Sequence, residues 1–204
     1  MSRKLLIAAA CAAVVSSLAI VGMRGPVAMA APEPAVVPMT WELTFKNQLP
    51  ERIVVEGKTY WYVRYTVSNN TGRDVLYTPD FEITTDSGQA IAAFKDVPKD
   101  VFGKIKELHG ATLLQSHTEI LGKLLQGEDN AKDGVIIFAG LEAEARVLNL
   151  FISGISGETA EVKNPMSGAV VVLQKSLVLE YSIPGEAVRI DPRPTLKSTK
   201  WVMK

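Results

Sequence analysis

The chain has 204 residues, with 22 basic and 22 acidic side chains and a single cysteine. A balanced charge with no clustered basic face argues against a nucleic-acid binder, and one cysteine excludes a disulfide framework. Its length and 47% apolar content suit one globular domain with a sizeable core.

The N-terminus predicts export. Ser2-Arg3-Lys4 is a short basic start, Leu5 to Gly22 is apolar apart from Ser16 and Ser17, and Ala28-Met29-Ala30 precedes Ala31. A basic start, an apolar stretch and an A-x-A site describe a signal peptide over residues 1–30. The apolar run exceeds the usual ~7–15 residues and approaches the ~20 that span a bilayer. The alternative is therefore an uncleaved signal-anchor over residues 5–23. Either way the chain is expected outside the cytoplasm, periplasmic or secreted, with any membrane attachment through this segment alone. Cys11 lies inside it, so a cleaved chain holds no thiol nucleophile and no thiolate metal site. Cleavage also removes three basic and no acidic residues, which leaves a formal charge of −3.

Residues 31–38, APEPAVVP, form a proline-rich linker. Trp41 to Phe45 then alternates as a half-buried strand. Tyr60 to Ser68 is the strongest strand signal. It places Trp61, Val63, Tyr65 and Val67 on one face and Tyr60, Tyr62, Arg64, Thr66 and Ser68 on the other. Asn69-Asn70-Thr71-Gly72 ends it in a turn. Val75 to Tyr77 and Phe81 to Thr85 follow, and Asp86-Ser87-Gly88 predicts a hairpin into Gln89 to Phe94.

The period then changes. Val101, Phe102, Ile105 and Leu108 make an amphipathic helical stripe between Pro98 and Gly110. Ser116-His117-Thr118-Glu119 has capping-box spacing, and Ile120, Leu121, Leu124 and Leu125 extend the helical pattern to Gly127, weakened by Gly122. A mostly helical insertion over about residues 97–130 is expected. Strands resume at Gly134 to Phe138, Arg146 to Ser153, Ala169 to Gln174 and Leu177 to Ile183, with a short one at Val188 to Ile190. Residues 191–204 read as a C-terminal tail, strand-like only at Thr199 to Met203.

Short strands separated by turns predict a mainly β fold. The expectation is an antiparallel immunoglobulin-like sandwich over residues 39–190, carrying the short helical insertion. A curled or barrel-like sheet is the rival.

No motif obliges catalysis. His109 and His117, with Glu107 and Glu119, lack the spacing that places two histidines on one helical face for zinc. Asp129 to Gly134 opens like a calcium loop, but Ala131 and Gly140 stand where ligands are needed, so it reads as a polar turn. Gly154-Ile155-Ser156-Gly157 departs from the serine elbow at Glu158. Asn69-Asn70-Thr71 matches a glycosylation acceptor and reads as a turn. No enzyme activity and no cofactor or metal is predicted.

Two segments resemble known proteins. YWYVRYTVSNNTGRDVL, Tyr60 to Leu76, resembles the strand, Asn-x-Thr-Gly turn and strand of exported bacterial immunoglobulin-like domains of unknown function. IIFAGLEAEARVLNLFISGISGE, Ile136 to Glu158, is similar to their pair of strands joined by a short acidic loop. The resemblance implies a sandwich outside the cytoplasm. It carries over no catalytic or binding residue, and the helical insertion has no counterpart in it.

The expected function is an exported, non-enzymatic binding or structural module of the cell envelope with a protein partner. Its candidate surface is Tyr60, Tyr62, Ile120, Leu121, Leu124 and Leu125. The alternative is a carbohydrate-binding or carbohydrate-active β-protein in which Tyr60 and Tyr62 stack on sugar. Exposure of those tyrosines favours sugar, whereas exposed leucines favour a protein partner.

Overall fold

The strand Lys58–Asn69, β3, carries apolar and aromatic side chains on both faces and forms the centre of a sheet that buries both. Along one edge of β3 run β1 (Thr44–Asn47) and β2 (Glu51–Val55) in succession; along the other runs β8 (Gly127–Ala139). All pairings are antiparallel, with Tyr62 opposite Glu51 on one side and Ile137 on the other. The computed structural model describes residues 32–184 and 193–204. The predicted signal peptide and the predicted short strand at Val188 to Ile190 lie outside the described residues.

The second sheet holds β5 (Asp80–Thr85), β6 (Ala90–Ala92), β9 (Val147–Ser153), β10 (Thr159–Lys163), β11 (Val170–Ser182) and β12 (Thr195–Met203). The turn at Asp86-Ser87-Gly88 joins β5 to β6 as predicted, with Gly88 at φ 87°. β9 and β12 flank the C-terminal half of β11, and β10 continues from β9 along its N-terminal half. A small ladder joins β4 (Val75–Tyr77) to β7 (Gly122–Leu124).

One core lies between the sheets. Trp61, Val63, Tyr65 and Val67 of β3 meet Phe81 and Ile83 of β5, Leu148, Leu150 and Ile152 of β9, and Leu177, Leu179 and Tyr181 of β11. The protein is thus mainly β, with antiparallel sheets in an arrangement compatible with a β-sandwich. A second core covers the outer face of β3. There Tyr60 and Tyr62, with Val135 and Ile137, pack under Val101 and Ile105 of α1 (Lys99–Leu108) and under Leu114.

Several expectations are corrected. The insertion is not mostly helical: α2 (His117–Ile120) is a single turn, and the chain leaves it at Leu121 with extended backbone. Gly122, at φ 111°, turns the chain into β7, and residues 127–130 belong to β8. The reason is non-local, because pairing β7 with β4 sends Leu124 into the inter-sheet core. Asp129 to Gly134 is strand, not turn, because β8 pairs with β3 through Lys132 and Asp133. The predicted tail from Thr195 is strand β12, hydrogen-bonded to β11 over eight register pairs from Lys175 to Ser182. The runs Ala169 to Gln174 and Leu177 to Ile183 fall in one continuous strand, in which the buried Lys175 and Ser176 each have a polar partner. Strands β2 and β10 carry too little apolar alternation to be read from sequence.

Candidate interaction surface

Four of the six predicted surface residues are buried. Tyr60 and Tyr62 are 3% and 1% exposed beneath α1, and Ile120 and Leu124 are fully enclosed. Only Leu121 and Leu125 stay in solvent, at 38% and 45%. The burial has a physical cause: the apolar stripe of α1 needs an apolar floor, and the outer face of β3 supplies it. Tyr62 is tied down further, with its hydroxyl 2.9 Å from His109 Nε2 and 3.3 Å from Glu51 Oε2. Arg64 holds Glu51 at 3.0 Å. Tyrosines sealed this way are not placed to stack on a sugar ring.

The remaining polar candidates are structural partners. His117 stacks on Phe94 at 4.1 Å, and burial holds its pKa below the usual value against the opposing charge of Asp80. His109 and His117 therefore serve different neighbours. Among the described residues no group of three or more His, Cys, Asp or Glu side chains is placed to hold a metal ion. Ser156 Oγ accepts the backbone N–H of Glu158 at 3.2 Å within its turn. Burial pushes Tyr65 up to about 12, and raises Tyr77 as well, so this hydrogen-bonded pair remains as phenols.

Where the core ends, the second sheet does not. Leu177, Leu179 and Tyr181 of β11 face the core, and two-residue alternation puts Leu173 and Val171 on the same face. Between them sits Lys175, 1% exposed, at the boundary. Its Nζ lies 3.1 Å from Glu42 Oε2, 3.1 Å from Glu158 Oε2 and 3.1 Å from the carbonyl oxygen of Ala35. The Ala35 carbonyl accepts a hydrogen bond from the ammonium group, and the two carboxylates pair with it as ions. The Trp201 ring lies 5.0 Å away. Burial alone would lower the Lys175 pKa, but hydrogen bonds and charge from Glu42 and Glu158 outweigh it and raise the value. Glu158 also accepts the Ala35 N–H at 2.7 Å, and this bond, with Lys175, holds its carboxyl below the usual range. The linker is therefore pinned at Ala35 by one buried ion cluster.

Beyond Lys175, β10 and β11 continue as a two-stranded arm. Val162 pairs with Val171 and Ala160 with Leu173, all on the core-side face, while Val170 and Val172 lie on the other. The tip closes on Asn164, whose side chain accepts the N–H groups of Met166 and Ser167. Met166 is 96% exposed, and Val170, Val171 and Val172 are each about half exposed or near it. No sequence signal singled out this arm as a surface, although AVVVLQ was legible as a strand. Its exposure depends on where the opposing sheet stops.

Comparison of the chain with protein-family models, with curated proteins and with solved structures finds no match. The class that the fold defines is accordingly a mainly β protein of antiparallel sheets with a helix-capped outer face.

Proposed function

We propose that this chain is a non-enzymatic binding or structural module of the cell envelope that engages a protein partner through the β10–β11 arm. On this reading the fold is an immunoglobulin-like sandwich, delivered by the N-terminal signal. The supporting observation is the apolar arm, which carries the core-facing stripe of β11 past the end of the core and leaves its valines and Met166 in solvent. Contiguous exposed apolar side chains on one projecting element are what a partner covers. The Lys175 cluster gives the arm a fixed root, and a rigid element loses less entropy on docking than a loop does.

A photo-crosslinking residue at Val171, introduced in the full chain in its native cells, tests the reading. One stoichiometric protein adduct is expected from Val171 and none from the same residue placed at Lys104 on α1. Equal labelling at both positions, or no protein adduct from the arm, would refute it.

A further inference from the structure

The open edge of β10 has a feature that selects one occupant. Among the described residues β10 pairs with β11 alone. Asn164 N–H bonds the Ala169 carbonyl, and Lys175 N–H bonds the Glu158 carbonyl, at the two ends of the arm ladder. Antiparallel pairs alternate between bonded and non-bonded. Ala160 and Val162 therefore turn their backbone groups toward β11, and Glu161 and Lys163 turn theirs outward. Both Glu161 and Lys163 are exposed, and neither side chain has a partner among the described residues.

Resting on the reading that the arm is a contact surface, we propose that its partner is a second copy of this chain, joined by antiparallel pairing of β10 with its two-fold mate about Val162. This register alone sets Glu161 opposite Lys163 of the partner subunit and Lys163 opposite Glu161 of the partner subunit. These are also the residues whose N–H and C=O groups point outward, so each charge pair coincides with a bonded backbone pair. Centring the pair on Glu161 or on Lys163 sets like charges face to face, which is unfavourable. The contact is isologous and closes at two chains, which removes an exposed edge that would otherwise recruit other strands. Two arms become one four-stranded ribbon, with Ala160, Val162, Val171 and Leu173 of each copy continuous on one face.

The test uses the full chain in detergent solution. In a Cys11→Ser background, Val162→Cys is expected to give a disulfide-linked dimer under mild oxidation. Val162 is its own partner in a non-bonded pair, where Cα atoms lie ~4.5 Å apart, inside the disulfide range. By sedimentation, Glu161→Lys and Lys163→Glu should each weaken self-association by about ten-fold or more. The double reversal should restore it, because the opposite charges again face each other. A chain that stays monomeric and gives no Val162→Cys dimer overturns the proposal, as do single reversals without effect or a double reversal without rescue. If Val171 then still crosslinks to a different protein, the arm remains a contact surface and only the second copy is wrong. If it crosslinks to nothing, both readings fall.

Discussion

Lys175 Nζ and Glu158 Oε2 are 3.1 Å apart, and the other oxygen of the same carboxylate accepts the N–H of Ala35 at 2.7 Å. One buried pair thus joins the root of the arm to the chain at Ala35.

Lys175→Met should destabilise the protein by about 3 kcal/mol in urea unfolding. Removing one member of a buried ion cluster leaves its partners uncompensated. The figure is at the low end because Glu42 and Glu158 keep some contact with solvent, with side chains 22% and 14% exposed. Adding Glu42→Gln and Glu158→Gln to Lys175→Met should recover part of the loss, since neutral amides cost less to bury.

The pH dependence has a definite sign on each side. The Glu158 pKa is lowered from 4.5, so its contribution is present above 4.5 and is lost as pH falls through the folded value. Asp86 behaves alike from 3.8, because its carboxylate accepts the N–H groups of Arg146 and Val147. The Lys175 pKa is raised from 10.5, so its contribution is complete below 10.5 and is lost only as pH rises through the folded value. Urea midpoints should therefore be level from pH 6.5 to mildly alkaline pH and fall in acid, first below 6.5, where the unfolded chain protonates His117 more readily than the folded one, and then as the carboxylates protonate. Glu158→Gln should flatten the acid limb; an unchanged limb would remove Glu158 from this account.

The helix that seals the tyrosines is a packing element. Ile105→Ala should cost about 3 kcal/mol, as for other fully buried aliphatic side chains cut back to Ala. Amide exchange should then rise in α1 and in the middle of β3 while β9 and β11 stay protected, because Ile105 belongs to the outer core and not to the inter-sheet one.

Two pairs of leucine-rich positions should separate cleanly. Ile120→Ala and Leu124→Ala, both fully buried, should each cost about 2–5 kcal/mol. Leu121→Ser and Leu125→Ser should stay within about 0.5 kcal/mol, as exposed substitutions usually do. Thermal denaturation of the four variants decides this.

Gly134 sits where β3, α2 and β8 converge. A Cβ there would lie 2.5 Å from Tyr65 Cζ and 2.6 Å from Ile120 Cδ1. Gly134→Ala should destabilise by about 1–3 kcal/mol through overpacking. Pairing it with Ile120→Val should relieve part of the cost, a non-additivity that a double-mutant cycle measures.

Much of the architecture was written locally. Period-two alternation gave β3 and both its faces, and turn residues gave the β5–β6 hairpin. Spacing of Val101, Ile105 and Leu108 gave α1. These signals are legible because each residue's neighbours in sequence are also its neighbours on one face. The capping box at Ser116 to Glu119 marks a helix start in the sequence, and Glu119 accepts from the Ser116 N–H. It could not say where the helix stops, because the stop is set by pairing with β4, distant in sequence.

The sequence by itself therefore determined a mainly β chain of antiparallel strands with one amphipathic helix. Only the tertiary structure decided which apolar residues meet water. Tyr60 and Leu124 went inside because α1 and the β4 ladder cover them, and Val171 stayed outside because it lies beyond Lys175, past the last buried residues of β11. Lys175 falls between two expected strand runs, yet it sits inside one strand, where Glu42, Glu158 and the Ala35 carbonyl converge on it from distant parts of the chain. Burial is a property of which surfaces come together, and hydrophobic pattern specifies a face without naming what will cover it.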